Sequence, residues 1–140
     1  KATGKLTIEI KDKNGNLKDQ IDLTNLVVDD GLEFIASRMK DASSSVMSHM
    51  AIGTGSSAAA ASDTTLGTEA ARVALTSTTV TANAVAYVAS FAAGTGTGAI
   101  TEAGILNNSS GGSLLCRTVF SVINKGASDS MTITWTITIS

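Results

Sequence analysis

The chain has 140 residues, of which 43% are apolar and 16% charged, with a formal net charge of −2, one Cys, one His and no Pro. This length suits a single domain, 1–140, around one core, and a balance so close to neutral excludes bulk electrostatic attraction to nucleic acid. One Cys rules out an intramolecular disulfide and one His a paired-histidine metal site, and no apolar run is long enough to span a membrane or reads as a signal peptide.

Residues 1–25 predict a charged β-hairpin. Leu6, Ile8 and Ile10 alternate with Lys5, Thr7, Glu9 and Lys11, and further on Leu17, Asp19, Ile21 and Leu23 alternate with Lys18, Gln20 and Asp22. Between the runs lies Asn14-Gly15, a strong hairpin signal because both residues tolerate positive φ. The charged outer face is expected to meet water or a polar neighbour. The chain opens at Lys1 without Met, which leaves room for residues upstream. Residues 26–42 predict a helix, centred on 28–40. Val28, Leu32, Ile35, Ala36 and Met39 recur at helical spacing and define its apolar face. Asp29, Asp30 and Glu33 sit in the first turns and Arg38 and Lys40 in the last, matching the helix dipole. Gly31 costs roughly 1 kcal/mol against Ala, and the Asp41-Ala42-Ser43-Ser44-Ser45 run ends the helix.

Residues 46–140 predict the core of an antiparallel β-sandwich. A short strand over 46–54 precedes a loop of small residues, Gly55 to Leu66, whose Ala58–Ala61 run buries too little to hold a helical turn alone. Residues 69–75 lead into 76–81, Ala82-Asn83 turns the chain, and 84–92 returns with Val85, Tyr87, Ala89 and Phe91 on one face. After a Gly/Thr loop at 94–98 come the last forty residues. Met131, Ile133, Trp135, Ile137 and Ile139 alternate with Thr132, Thr134, Thr136 and Thr138, the period of a strand with one face on a core. The 114–123 segment is apolar on both faces, as an interior strand covered on both sides would be. The expectation is a mainly β fold of about eight strands with one helix near 28–40, and with the 131–139 strand paired to the 114–123 strand.

Candidate chemistry is sparse. The glycines at 53–55 and 94–98 lack the Gly-Lys-Ser/Thr of a phosphate loop and read as tight turns or close backbone approaches. His49 has no evident nucleophile or carboxylate partner. Cys116 reads as a small core residue, with Arg117 on the opposite face of the strand. Between Ala42 and Ser128 the charged residues are Asp63, Glu69, Arg72, Glu102, Arg117 and Lys125. Glycoside hydrolysis would need Glu69 and Glu102 facing across a cleft with aromatic platforms, and aromatic residues make up only 4% of the chain. Glu69, Arg72, Glu102 and Arg117 are therefore read as structural ion pairs, since partly buried charges are costly unless paired. No catalytic, cofactor or metal residue is expected. Asn108-Ser109-Ser110 fits a glycosylation sequon, which means little without secretion.

Several motifs, in their order, resemble a family of small phage virion proteins. They are Ile100-Thr101-Glu102-Ala103-Gly104-Ile105-Leu106, Leu115-Cys116-Arg117-Thr118-Val119-Phe120, Lys125-Gly126 and the Thr/Ile strand with Trp135. To these belong His49-Met50-Ala51-Ile52-Gly53-Thr54-Gly55, Ala61-Ser62-Asp63-Thr64-Thr65-Leu66, Glu69 with Arg72, and Asn25-Leu26-Val27. The resemblance covers roughly residues 25–140 and implies a structural protein of the virion. Such modules occur in capsid decoration proteins and in tail or baseplate fibres. A compact chain with no long fibrous or coiled-coil segment suits a decoration protein on the outer surface of the head, bound to the major capsid protein lattice, better than the alternative, a tail-fibre or baseplate structural or receptor-binding module. Three-fold symmetry is implied by the resemblance alone. Self-association is motivated independently by the low charge of the 42–128 stretch, because interface cores are depleted in charge. Neutral Ser and Thr facing solvent is the plainer alternative.

Overall fold

The N-terminal alternation forms two antiparallel strands, β1 (Ala2–Lys11) and β2 (Leu17–Val27), with Leu6 opposite Leu23 and Ile8 opposite Ile21. The computed structural model describes residues 1–40 and 43–140. Between the strands, the Asp12 carboxylate accepts the N–H groups of Asn14 and Asn16 at 2.9 and 3.0 Å, and Gly15 takes a φ of 82°. These bonds, that from Asn16 first, hold the Asp12 carboxyl below its ordinary pKa.

The chain continues into α1 (Asp29–Lys40), β3 (His49–Gly53), β4 (Glu69–Ala74), β5 (Ser77–Thr81), β6 (Ala84–Phe91), β7 (Gly98–Leu106), β8 (Leu114–Lys125) and β9 (Ser130–Ile139). Among the described residues nine strands form one curled antiparallel sheet in the order β4-β3-β7-β8-β2-β1-β9-β6-β5. It folds into two layers. β2 belongs to the β2-β1-β9-β6-β5 layer over most of its length and joins the other layer through its last residues, Leu26 opposite Arg117 and Val27 opposite Cys116. At the opposite side the edge strands β4 and β5 are consecutive in the chain. Leu75 donates to Ser48 O and Thr76 to Val88 O, so the chain turns from one layer to the other within those two residues. The class is mainly β, a sandwich with one helix.

Between the layers lies a shared core. Ile8, Phe91, Ile133 and Trp135 from one layer meet Met50, Ile52, Ile100 and Ile105 from the other, all fully buried. Each such side chain contributes roughly 1.5–3 kcal/mol on leaving water. A smaller cluster, Val28, Ala51, Leu66, Leu106 and Leu114, lies apart from that core, where the 54–68 loop covers the outer face of the β3-β7-β8 layer.

Three expectations need correction. The 131–139 strand does not pair with 114–123: β9 pairs along its whole length with β1 and on its other side with β6, while β8 lies between β7 and β2. Alternation specifies which face of a strand is buried, not which strand lies beside it. β1 offers β9 a matching alternation, with Leu6 opposite Trp135, Ile8 opposite Ile133 and Ile10 opposite Met131. β8 itself is covered on both faces only over 114–118. The β7–β8 register shifts between Ile100 and Glu102, and beyond it Ser121 and Val122 are exposed. The helix presents only part of the expected face. Val28 is buried and Ile35 packs on the core as expected, but Leu32, Ala36 and Met39 are exposed, and Gly31 and Phe34 turn inward in their place. A Cβ at Gly31 would sit 2.1 Å from the Leu115 carbonyl oxygen, so the glycine lets α1 lie directly on the β8 backbone. The expected stop signal at Asp41 and Ala42 lies outside the described residues.

Candidate functional site

On the outer face of β7, alternation turns Glu102, Gly104 and Leu106 away from the main core, while Ala103 and Ile105 face into it. On β8, Cys116 faces the core and Arg117, opposite Gly104, lies on the outer face. The 54–68 loop closes over both charges: Glu102 is 0% exposed and Arg117 2%. A carboxylate so placed must have its lone pairs filled. Glu102 accepts the backbone N–H groups of Gly55, Gly67 and Thr68 at 2.9, 2.8 and 2.7 Å. It also accepts Arg117 Nε at 3.0 Å, and the ion pair closes to 2.9 Å at the next nitrogen.

Arg117 is equally committed. Beyond Glu102 it donates to Asp63 at 2.8 Å and to the Ser57 carbonyl at 3.0 Å. Asp63 in turn accepts the Ala60 N–H at 2.9 Å. Three ionised groups and the backbone of one loop thus form a single network, in which charge-assisted bonds are the strong ones.

The electrostatics follow from that geometry. Burial pushes the Glu102 pKa up, but the N–H donors of Thr68 and Gly67, the Arg117 guanidinium and the Gly55 N–H outweigh it and hold the carboxyl below its ordinary range. The Ala60 N–H, opposed by burial and aided by Arg117, likewise lowers Asp63. Burial works against the Arg117 charge, and Asp63 and Glu102 more than restore it.

Glycines make the close approach possible. A Cβ at Gly55 would meet Glu102 Oε1 at 2.5 Å, and one at Gly53 would meet the Thr68 carbonyl oxygen at 2.2 Å. Sequence reasoning assigned Gly53 and Gly55 to turns or to contact between strands. Gly53 does make a close backbone approach, to the Thr68 carbonyl, whereas Gly55 makes room for the buried Glu102 carboxylate.

The structure places Glu69 and Arg72 together as well, 2.7 Å apart on β4. Arg72 also donates to the carbonyls of Asn108 and Gly111, both at 2.9 Å, and so ties down the 107–113 loop. Arg72 and Arg117 thus each pair with one glutamate and close one loop. Glu69 is not brought to Glu102 as a facing carboxylate pair; each has its own guanidinium.

Asp63 was noted in the sequence only as a charge and a motif position, and its part in this network was missed. So was a second buried charge. Lys125, 1% exposed, donates to the Ala92 carbonyl at 2.9 Å, and burial lowers its pKa against the pull of Asp129. Asp129 pairs with Lys18 at 2.8 Å and accepts the Gly126 N–H at 2.8 Å. His49 opens β3 with its Nδ1 2.7 Å from Ser48 Oγ. Burial pushes the Cys116 thiol well above its ordinary pKa, a setting that disfavours the reactive thiolate.

Chemically, the Glu102 site is a lock. Its carboxylate accepts three backbone N–H groups and the guanidinium, and each guanidinium nitrogen donates to a protein oxygen. Among the described residues no cluster of three or more His, Cys, Asp or Glu could hold a metal ion, and no helix is long and apolar enough to cross a membrane. Compared with family models, curated proteins and solved structures, the chain matches none.

Proposed function

We propose that this chain is a non-enzymatic structural protein of a bacteriophage virion, a capsid decoration protein on the outer surface of the head. In this reading it binds the major capsid protein lattice as a homo-oligomer, three copies by resemblance, and stabilises the shell. The family resemblance over residues 25–140 supplies the virion context. The observation that carries the structural role is the use made of the central charges: Glu102, Arg117 and Asp63 direct their hydrogen-bonding capacity at one another and at one loop. That arrangement suits a rigid module more than a site that must receive a substrate. Mixing the purified protein with empty capsids and with isolated tails tests the proposal. Saturable binding to capsids is expected. Binding to tails alone would transfer the protein to the alternative, a tail-fibre or baseplate module.

A further inference from the structure

The two open edges of the curled sheet differ in a way that bears on assembly. β4 carries the Glu69–Arg72 pair, and its arginine holds the 107–113 loop. β5, Ser77-Thr78-Thr79-Val80-Thr81, pairs on one side with β6, and no other pairing of it occurs among the described residues. All five of its residues are exposed, Val80 at 71%. Natural sheets protect such an edge with Lys, Pro, a bulge or a covering loop. β5 has no charge and no Pro, and the sequence carries no charged residue from Val73 to Thr101.

We propose that β5 is a homotypic docking edge, at which a second copy of the chain adds its own β5 antiparallel across a two-fold axis through Thr79. The backbone directions fit this register. The Ile139 N–H donates to Asn83 O, which commits the odd-numbered residues of β6 to β9 and the even-numbered ones to β5. Their β5 partners are Ser77, Thr79 and Thr81, so the N–H and C=O groups of Thr78 and Val80 point out of the open edge. In an antiparallel pair centred on Thr79, Thr78 of one copy lies opposite Val80 of the other, and each pair exchanges its free donors and acceptors. The two Thr79 residues then form the non-hydrogen-bonded pair at the axis, where side chains approach most closely.

The strand is self-complementary in this register: neutral residues oppose one another at every position, Thr78 facing Val80 and Thr79 facing Thr79 with β-branched side chains on both copies, and Ser77 facing Thr81. The inner-face residues Thr78 and Val80 also border a groove of about 390 Å³, lined further by Phe34, Val46, Met47, Val85 and Tyr87 and by Arg38, which donates to the Ser44 carbonyl at 2.9 Å. The partner's Val80, arriving on that same face, extends the apolar cover of the groove mouth. A second copy therefore meets both backbone and side-chain needs of a strand that itself carries no charge.

The inference rests on the homo-oligomer part of the reading above and is independent of the virion part. In three-fold assemblies it would join one trimer to the next.

Thr79→Cys, made in the full chain with Cys116 left in its buried place, tests the register. Under mild oxidation at low micromolar concentration it should give a reducible homodimer at least tenfold faster than Thr134→Cys, which lies on the same outer face but two strands in from the edge. Val80→Lys should keep the circular dichroism spectrum and lose the pairing by mass photometry. Equal cross-linking of the two cysteine variants would overturn the β5 contact. So would a wild-type mass distribution unchanged by Val80→Lys. A wild-type chain that is strictly monomeric would remove both this contact and the oligomer reading, whereas an oligomer without Thr79→Cys cross-linking would remove this contact alone.

Discussion

Glu102 shows how one residue can set the conformation of a distant stretch of chain. Its carboxylate collects the N–H groups of Gly55, Gly67 and Thr68, the two ends of a loop lacking helix or strand structure of its own. Replacing it by Gln keeps the shape but leaves Arg117 buried with less opposing charge. Breaking a buried pair in this way costs about 3–5 kcal/mol, to be read as a lowered denaturation midpoint with an unchanged slope. Arg72→Ala should do far less, on the order of 1 kcal/mol, because Glu69 remains partly exposed and solvent screens that pair. Ala82 is strained in the opposite sense. It holds a φ of 52° in the β5–β6 turn, where a Cβ is unfavourable. Ala82→Gly should therefore stabilise the protein by roughly 0.5–1 kcal/mol in thermal unfolding.

At the level of elements, α1 offers a clear reversal of propensity. Ala for Gly inside a helix ordinarily gains roughly 1 kcal/mol. At Gly31 the added methyl would lie 2.1 Å from the Leu115 carbonyl oxygen, a backbone atom that cannot swing aside. Gly31→Ala should thus destabilise, by about 1–3 kcal/mol in denaturant titration. A neutral or stabilising result would mean that α1 does not rest on β8. This contact also marks what the sequence could and could not disclose. The hairpin and the final strand were legible because a two-residue period states which side chains are buried. The helix was legible in extent, since acidic and basic residues bracket it, but its apolar residues suggested a face through Leu32 and Met39. The true face follows the glycine, a residue that leaves no hydrophobic signal. Which strand neighbours which was not legible either, because Leu6 opposite Trp135 is a contact across most of the chain's length. For the buried lock, isolation in a neutral stretch pointed to Glu102 and Arg117 but not to how they join. Asp63 sits among Ser, Ala and Thr, where nothing in local pattern distinguishes a buried acceptor from a solvated one.

For the whole molecule, the curled sheet places ionisable groups so that stability depends on pH at both ends of the scale. Asp63, Glu102 and Asp129 all have pKa values below their ordinary ones in the folded chain. The unfolded chain then binds protons more readily, so the stability these carboxylates contribute is present above their unfolded values and lost as pH falls. With unfolded values of 4.5 for Glu102 and 3.8 for the aspartates, the loss begins near the former and continues below the latter. At the alkaline end the sign is set by different groups. Burial raises the Cys116 thiol well above 9.0, and burial, aided by Cys116, pushes Tyr87 from 10.0 to about 12. The folded chain keeps these protons while the unfolded chain releases them, so stability falls as pH rises through that range. Lys125 acts in the other direction, since burial lowers its pKa from 10.5 and its penalty is relieved as it loses charge. Thermal unfolding followed from pH 3 to pH 11 should therefore show a plateau near neutrality, an acid limb beginning near 4.5, and an alkaline limb. Tyr87→Phe isolates one contribution to the alkaline limb: it should flatten the decline above pH 10 and leave the acid limb in place. An alkaline limb as steep as wild type would show that the Tyr87 phenol ionises as freely in the folded chain as in the unfolded one. That outcome would contradict its burial in the main core, where only 8% of the residue is exposed.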